Sequence, residues 1–252
     1  MSQTWRPSTG YHRRVFNHSD NGFSRLLRRT GGVRRPRRPF SAAAVVLMAG
    51  VLSIAAALTG SGFGIQSARA AGCPAIEVVF ARGTDEPPGV GRVGQAFIDS
   101  LRGQVGGRSV GAYGVVYPAT YDFLAAGTGA NDASGHIQYM MANCPNTRLV
   151  LGGYSQGAAV IDVIAAVPFP GLGFNAPLPP NAPQHVAAIA VFGNPSAKIG
   201  LPLTSSPVWG PVTIDLCEPG DPVCSNGDVF AAHKGYVPGM TSQAAAFVAG
   251  RL

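Results

Sequence analysis

The sequence predicts an α/β fold: a parallel sheet covered by helices on both faces. Short apolar runs alternate along residues 71–252 with segments of helical spacing, the pattern of strands joined by helical crossovers. The strand runs are apolar along most of their length, which suits strands buried on both faces and hence parallel pairing. Between a strand run and a helical run stands Gly153-Tyr154-Ser155-Gln156-Gly157, after Leu149-Val150-Leu151 and before Ala158-Ala159-Val160-Ile161. That is strand, sharp turn, helix, the setting in which a G-x-S-x-G turn lifts a serine hydroxyl above the sheet edge.

The elements follow in order. Residues 76–81 (Ile76-Glu77-Val78-Val79-Phe80-Ala81) read as a buried strand, and 82–91, rich in Gly and Pro, as the loop leaving it. Residues 93–101 have helical spacing. Residues 110–117 read as a strand ended by Pro118, 136–142 as a helix, and 148–152 as the strand into the serine turn. A helix over 158–167 stops at Pro168. Residues 168–183 hold many prolines and too little periodicity for an element. Strands are expected over 186–192 and 212–216, and a closing helix over 241–249.

Charge divides the chain. Residues 1–70 hold eleven arginines and one acid, net +10; residues 71–252 hold eight basic residues and eleven acids, net −3; together they give the +7 of the whole chain. The basic balance belongs to the leader, so net charge gives no case for a nucleic-acid partner. Residues 1–40 are expected to be a disordered basic leader, and translation starting at Val33 would put Arg34-Arg35-Pro36-Arg37-Arg38 where an export signal needs it. Residues 41–70 fit the apolar core and cleavage site of a secretory signal, with Ala68-Arg69-Ala70 as the A-x-A site and Ala71 as the mature N-terminus. Residues 71–252 then form one secreted domain, large enough to bury roughly 70% of its unfolded surface. Attachment to the cell wall is left open.

That domain carries all four cysteines, Cys73, Cys144, Cys217 and Cys224. An even number in an exported chain argues for two disulfides. Three pairings are possible; Cys217 and Cys224 close a short loop and are the natural pair, which leaves Cys73 with Cys144. A zinc site is disfavoured, because there is no C-x2-C and neither His136 nor His233 stands at a finger spacing from a cysteine.

A serine hydroxyl needs a base, and histidine has the right pKa. On a sheet of this kind the chain order runs serine, acid, histidine. His136 precedes Ser155. His185 follows it, but the acid between them, Asp162, points away from the turn. His233 has Asp215, Asp221 and Asp228 upstream and small neighbours in Ala231-Ala232-His233-Lys234-Gly235. Asp221 is the best acid, since a closed Cys217–Cys224 loop would fix its carboxylate; Asp228 is second, and Asp215 ends a strand. Oxyanion stabilisation needs two donors. The N–H of Gln156 is one, and Thr84, in the loop after the first strand, offers both an N–H and a hydroxyl.

These features occur together: Cys73-Pro74 before the strand, then Phe80-Ala81-Arg82-Gly83-Thr84-Asp85-Glu86, the G-Y-S-Q-G turn, Cys217-x-x-x-Asp221-x-x-Cys224 and Ala232-His233. The chain resembles the cutinase family of serine esterases, including its secreted actinobacterial members, from Cys73 to about Val248. The resemblance implies a small α/β-hydrolase with a central five-stranded parallel sheet and no large lid. It implies a nucleophile at Ser155, an acid at Asp221, a base at His233, oxyanion donors at Thr84 and Gln156, and disulfides Cys73–Cys144 and Cys217–Cys224. Thr84 stands where fungal members commonly have serine; its methyl narrows the acyl site. The expected activity is hydrolysis of short- to medium-chain or lipid-like carboxylic esters through an acyl-serine. The expected protein is a monomer without metal or cofactor, whose partners are an ester or lipid substrate and, transiently, a lipid surface. Phospholipase, lipase or acetylxylan esterase chemistry would use the same residues, and a decayed surface protein would keep them without activity. Phe169, Leu172, Phe174 and Leu178 could either favour lipid-like substrates or pack their own loop.

Overall fold

The structure, a computed structural model, describes residues 72–171 and 173–252. The basic leader, the export signal and Leu172 lie outside the described residues.

Five strands form one parallel sheet in the order β2-β1-β3-β4-β5: β1 (Ile76–Ala81), β2 (Val110–Gly114), β3 (Arg148–Tyr154), β4 (Val186–Phe192) and β5 (Thr213–Leu216). The helices are α1 (Gly91–Arg102), α2 (Ala126–Asn143), α3 (Gln156–Ala166), a short α4 (Ala182–His185) and α5 (Gly239–Ala249). Alternation along the strands sends side chains to two cores. Ile76, Val78 and Phe80 join Phe97 of α1 and Val248 of α5 on one face; Val79, Ala81, Leu149 and Leu151 join Ile137 of α2 and Ile161 of α3 on the other. Each such buried Val, Leu, Ile or Phe side chain stabilises the fold by about 1.5–3 kcal/mol. All of β1 and β4 is buried, as parallel strands covered on both faces must be.

The chain runs from β1 outward to β2, then returns to place β3 on the other side of β1. Strand order therefore reverses between β1 and β3, and a crevice opens beyond their carboxyl ends. The loop after β1 and the turn after β3 meet there, which is where Thr84 and Ser155 stand. The Cys73–Cys144 disulfide, with Cα atoms 5.5 Å apart, ties the segment before β1 to the end of α2.

Away from that crevice, α3 and β5 share an acidic contact. Asn194 Nδ2 donates to Asp162 Oδ1 and to Asp215 Oδ2, both at 3.2 Å. Burial pushes both carboxyls up, Asp162 to about 6 and Asp215, also repelled by Asp162, to about 7. Both lie above the ordinary value of 3.8, so the folded state keeps protons that the unfolded chain has released. The stability this pair contributes is fully present below about pH 4 and is lost as pH rises through about 6 to 7. Thermal unfolding from pH 4.5 to 8 checks this: Tm should fall across the range, and Asp215→Asn should flatten the slope.

Candidate active site

Ser155 follows β3 directly and caps α3 with φ +56° and ψ −118°. A non-glycine residue in that region is strained, and the strain is held by its surroundings. Ser155 N–H donates to Phe192 O at 2.9 Å. A Cβ at Gly153 would lie 2.2 Å from Gly157 O, and one at Gly157 would lie 2.0 Å from Ala81 O. Both positions therefore require glycine, because the turn folds back on itself and α3 starts against β1.

Ser155 Oγ–H donates to His233 Nε2 at 2.9 Å, and His233 Nδ1–H donates to Asp221 Oδ2 at 2.7 Å. A carboxylate can only accept, so the second bond places the neutral ring's proton on Nδ1 and leaves Nε2 as acceptor. His233 is 7% exposed and Asp221 fully buried. The acid sits in a loop closed by Cys217–Cys224, Cα atoms 5.8 Å apart. Asp221 N–H donates to Glu218 O at 3.0 Å, and Ser225 N–H and Oγ–H both donate to Asp221 O, at 3.0 and 2.6 Å. Tyr154 Oη–H donates to His233 O at 2.5 Å, which fixes the histidine from the serine's own strand.

The two expected oxyanion residues also meet. Gln156 opens α3, so its N–H has no acceptor within the helix and points out of the helix start. Thr84 Oγ1–H donates to Gln156 Oε1 at 3.3 Å, and Gln156 Nε2–H donates to Thr120 O at 3.0 Å. The loop bearing Thr84 is held from within. Glu86 Oε2 accepts Gly83 N–H at 2.7 Å and Oε1 accepts Arg92 N–H at 2.9 Å. The buried Arg82 guanidinium donates to the carbonyls of Glu86, Val115, Tyr117 and Pro118, and Tyr117 Oη–H donates to Arg82 O.

The other candidates lie elsewhere. His136 pairs with Glu77 at 3.0 Å, and His185 ends α4. Asp162 and Asp215 bond Asn194, and Asp228 is exposed. Phe174 is a core residue, with Leu178 packed against the same cluster, while Phe169 is exposed. A cleft of about 400 Å³ lined by Val167, Leu178, Pro183 and Trp209 lies at the C-terminal end of α3, the opposite end from Ser155 and about 16 Å along the helix. Phe174 thus packs into the core, and Leu178 lines that cleft. Sequence reasoning did not single out Arg82, Glu86, Tyr154 or Tyr236. A buried arginine among carbonyls has no linear signature, and Tyr236 reads as one more aromatic beside the closing helix. Among the described residues, no group of three or more His, Cys, Asp or Glu is placed to hold a metal, and no helix is long and apolar enough to cross a membrane.

Comparison with known proteins gives the family. The cutinase family model matches residues 72–252. The chain is 65% identical over 183 residues to phospholipase Culp4 of Mycobacterium tuberculosis, covering 72% of this chain and 80% of the relative. It is 48% identical over 211 residues to carboxylesterase Culp1 of Mycobacterium bovis, covering 80% and 93%. The solved Trichoderma reesei cutinase in complex with a phosphonate inhibitor matches with a TM-score of 0.58 and 33% identity, over 71% of this chain and 76% of that one. The fold, the family match across the whole described domain and these esterase relatives lead to one conclusion: the chain belongs to the cutinase family and is a carboxylic ester hydrolase.

Proposed function

We propose that the protein hydrolyses carboxylic esters with Ser155 as nucleophile, His233 as general base and then general acid, and Asp221 as the group that orients His233. The observation that carries this reading is the unbroken line Ser155 Oγ, His233 Nε2, His233 Nδ1, Asp221 Oδ2, at 2.9 and 2.7 Å. Ser155 Oγ attacks the ester carbonyl while its proton passes to His233 Nε2, and the imidazolium is stabilised by Asp221. Collapse of the tetrahedral intermediate breaks the C–O bond, and His233 returns the proton to the leaving alcohol. Water then attacks the acyl-serine by the same route, releasing the acid and restoring Ser155. The Gln156 N–H and Thr84 stabilise the oxyanion at each stage.

The substrate reading is a medium-chain or lipid-like ester. Apolar side chains are exposed on the loops leaving β2, β4 and β5, at the carboxyl end of the sheet: Tyr121, Phe123 and Leu124; Ile199 and Leu201; Val229 and Phe230. The Phe230 ring lies 5.9 Å from the His233 ring, so an exposed apolar side chain borders the catalytic line, and this end of the sheet could meet a lipid surface transiently. The 65% identical relative named as a phospholipase supports the same substrate class. The protein works as an exported monomer after cleavage before Ala71; intact mass of the protein recovered from culture medium checks that cleavage. A chain-length series of p-nitrophenyl esters, run beside phosphatidylcholine vesicles, tests the function. Turnover is expected with an optimum above acetate. Absence of turnover on every ester and on the vesicles would remove the reading.

A further inference from the structure

Tyr236 lies three residues after His233 and is fully buried. Its hydroxyl donates to Asp221 Oδ2 at 2.5 Å, the oxygen that also accepts His233 Nδ1–H. The other carboxylate oxygen, Oδ1, is occupied by Val223 N–H at 2.7 Å. The phenol oxygen accepts Glu218 N–H at 3.2 Å, and Cys224 Sγ of the loop disulfide lies 3.4 Å from it. With its acceptor side taken by a backbone N–H, the hydroxyl directs its proton to the carboxylate. The ring is held by edge contacts with Tyr154 and Phe192, centroids 5.7 and 6.0 Å away. Tyr236 thus bridges three things: the acid, the disulfide loop that carries it, and the aromatic core beneath the serine strand.

We infer that Tyr236 is a positioning residue for ester hydrolysis, holding Asp221 in line with His233 and drawing off part of the carboxylate charge that His233 would otherwise receive. This rests on the catalytic line proposed above. Two donors on one oxygen compete: charge taken by the phenol is withheld from the imidazolium. The phenol therefore weakens the hold of the carboxylate on the charge that forms at the ring. Burial, and next the bond to Asp221, push the Tyr236 phenol far above its ordinary value, so it remains a donor throughout. Burial alone would raise the Asp221 carboxyl, but donation from Tyr236, His233 and Val223 outweighs it and holds the carboxyl below its ordinary value.

Other groups face the pair without donating to its carboxylate. Tyr154 donates to the His233 carbonyl, and Ser155 to the ring. The Glu218 side chain packs on Gly235. Lys198 Nζ donates to Pro222 O and Arg92 to Lys234 O, with Lys234 itself exposed beside His233. Glu86 and Arg92 act on Tyr154. Among the described residues, Tyr236 is thus the side chain besides His233 that bonds the acid.

The test is the pH dependence of kcat/KM on p-nitrophenyl butyrate for the parent and Tyr236→Phe. The acid limb should move up by about half a pH unit or more. kcat should fall roughly tenfold with KM unchanged. Site-specific replacement of Tyr236 by fluorotyrosine, a stronger donor of the same shape, should move the limb the other way. A residue that only fills space would leave the limb where it is, so a folded Phe variant with an unmoved limb overturns the inference. Should the Phe variant not fold, the fluorotyrosine protein decides: an unmoved or upward limb overturns the inference. Failure of the catalytic reading itself is distinct, because the parent would then neither turn over the ester nor react with a fluorophosphonate, and the inference would fall with it.

Discussion

Ser155→Ala is expected to lower kcat on p-nitrophenyl butyrate by roughly 10⁴- to 10⁶-fold. Alanine leaves nothing to attack the carbonyl or to give a proton to His233. The Gln156 N–H and Thr84 remain, so a residual rate above that of water should persist. The strained φ of +56° at this position is the same for serine and alanine, so the fold should be kept. Equal Tm with lost turnover locates the loss in chemistry. Turnover within tenfold of the parent would take Ser155 out of the mechanism.

Asp221→Asn should be nearly as damaging, about 10⁴-fold in kcat with KM little changed. The change is close to isosteric, but Asp221 Oδ2 accepts from both His233 and Tyr236, and Oδ1 from Val223. An amide cannot accept at both atoms. Either its NH2 faces His233, which turns the ring to the tautomer with a proton on Nε2, or it faces the Val223 N–H. In the first case Ser155 loses its base and the buried Tyr236 hydroxyl loses its acceptor; in the second the buried Val223 N–H meets a donor. Steady-state kinetics beside a thermal melt separate the two: Tm is lowered in both, and lost kcat marks the tautomer.

Much of this was legible in the residues. The G-x-S-x-G turn stands between an apolar strand and an apolar helix, and both glycines prove to be demanded by backbone contacts shorter than any side chain allows. His233 and Asp221 follow from chain order and from the cysteines that frame the acid. Other parts were hidden for physical reasons. The sequence predicts a helix over 136–142, whereas α2 begins at Ala126. Its first half carries Gly127 and Gly129, which oppose helix by propensity. A Cβ at Gly129 would stand 3.0 Å from the Tyr117 ring and 3.2 Å from Val160, so the glycine allows close packing on α3, and tertiary contact outweighs propensity. Between β4 and β5, short 3₁₀ turns over Pro195–Ile199, Leu203–Ser205 and Gly210–Val212 have no periodic signal to read. Phe174 looks like a surface loop residue because of the prolines around it, yet Asn131 of α2 pins that loop: its amide donates to Gly173 O at 2.7 Å and its Oδ1 accepts Asn175 N–H at 2.7 Å. Such long-range capture of a loop lies outside any local pattern.

The central claim is that Ser155 is made nucleophilic by its own neighbours. Reaction of the folded protein with a fluorophosphonate, followed by peptide mass mapping, tests it most directly, since an unactivated serine does not react. The account predicts one covalent phosphonyl group per chain, on Ser155, forming more slowly as pH falls and His233 takes up a proton. A well-folded protein that stays unlabelled at neutral pH, or that carries the label on a different residue, would contradict it.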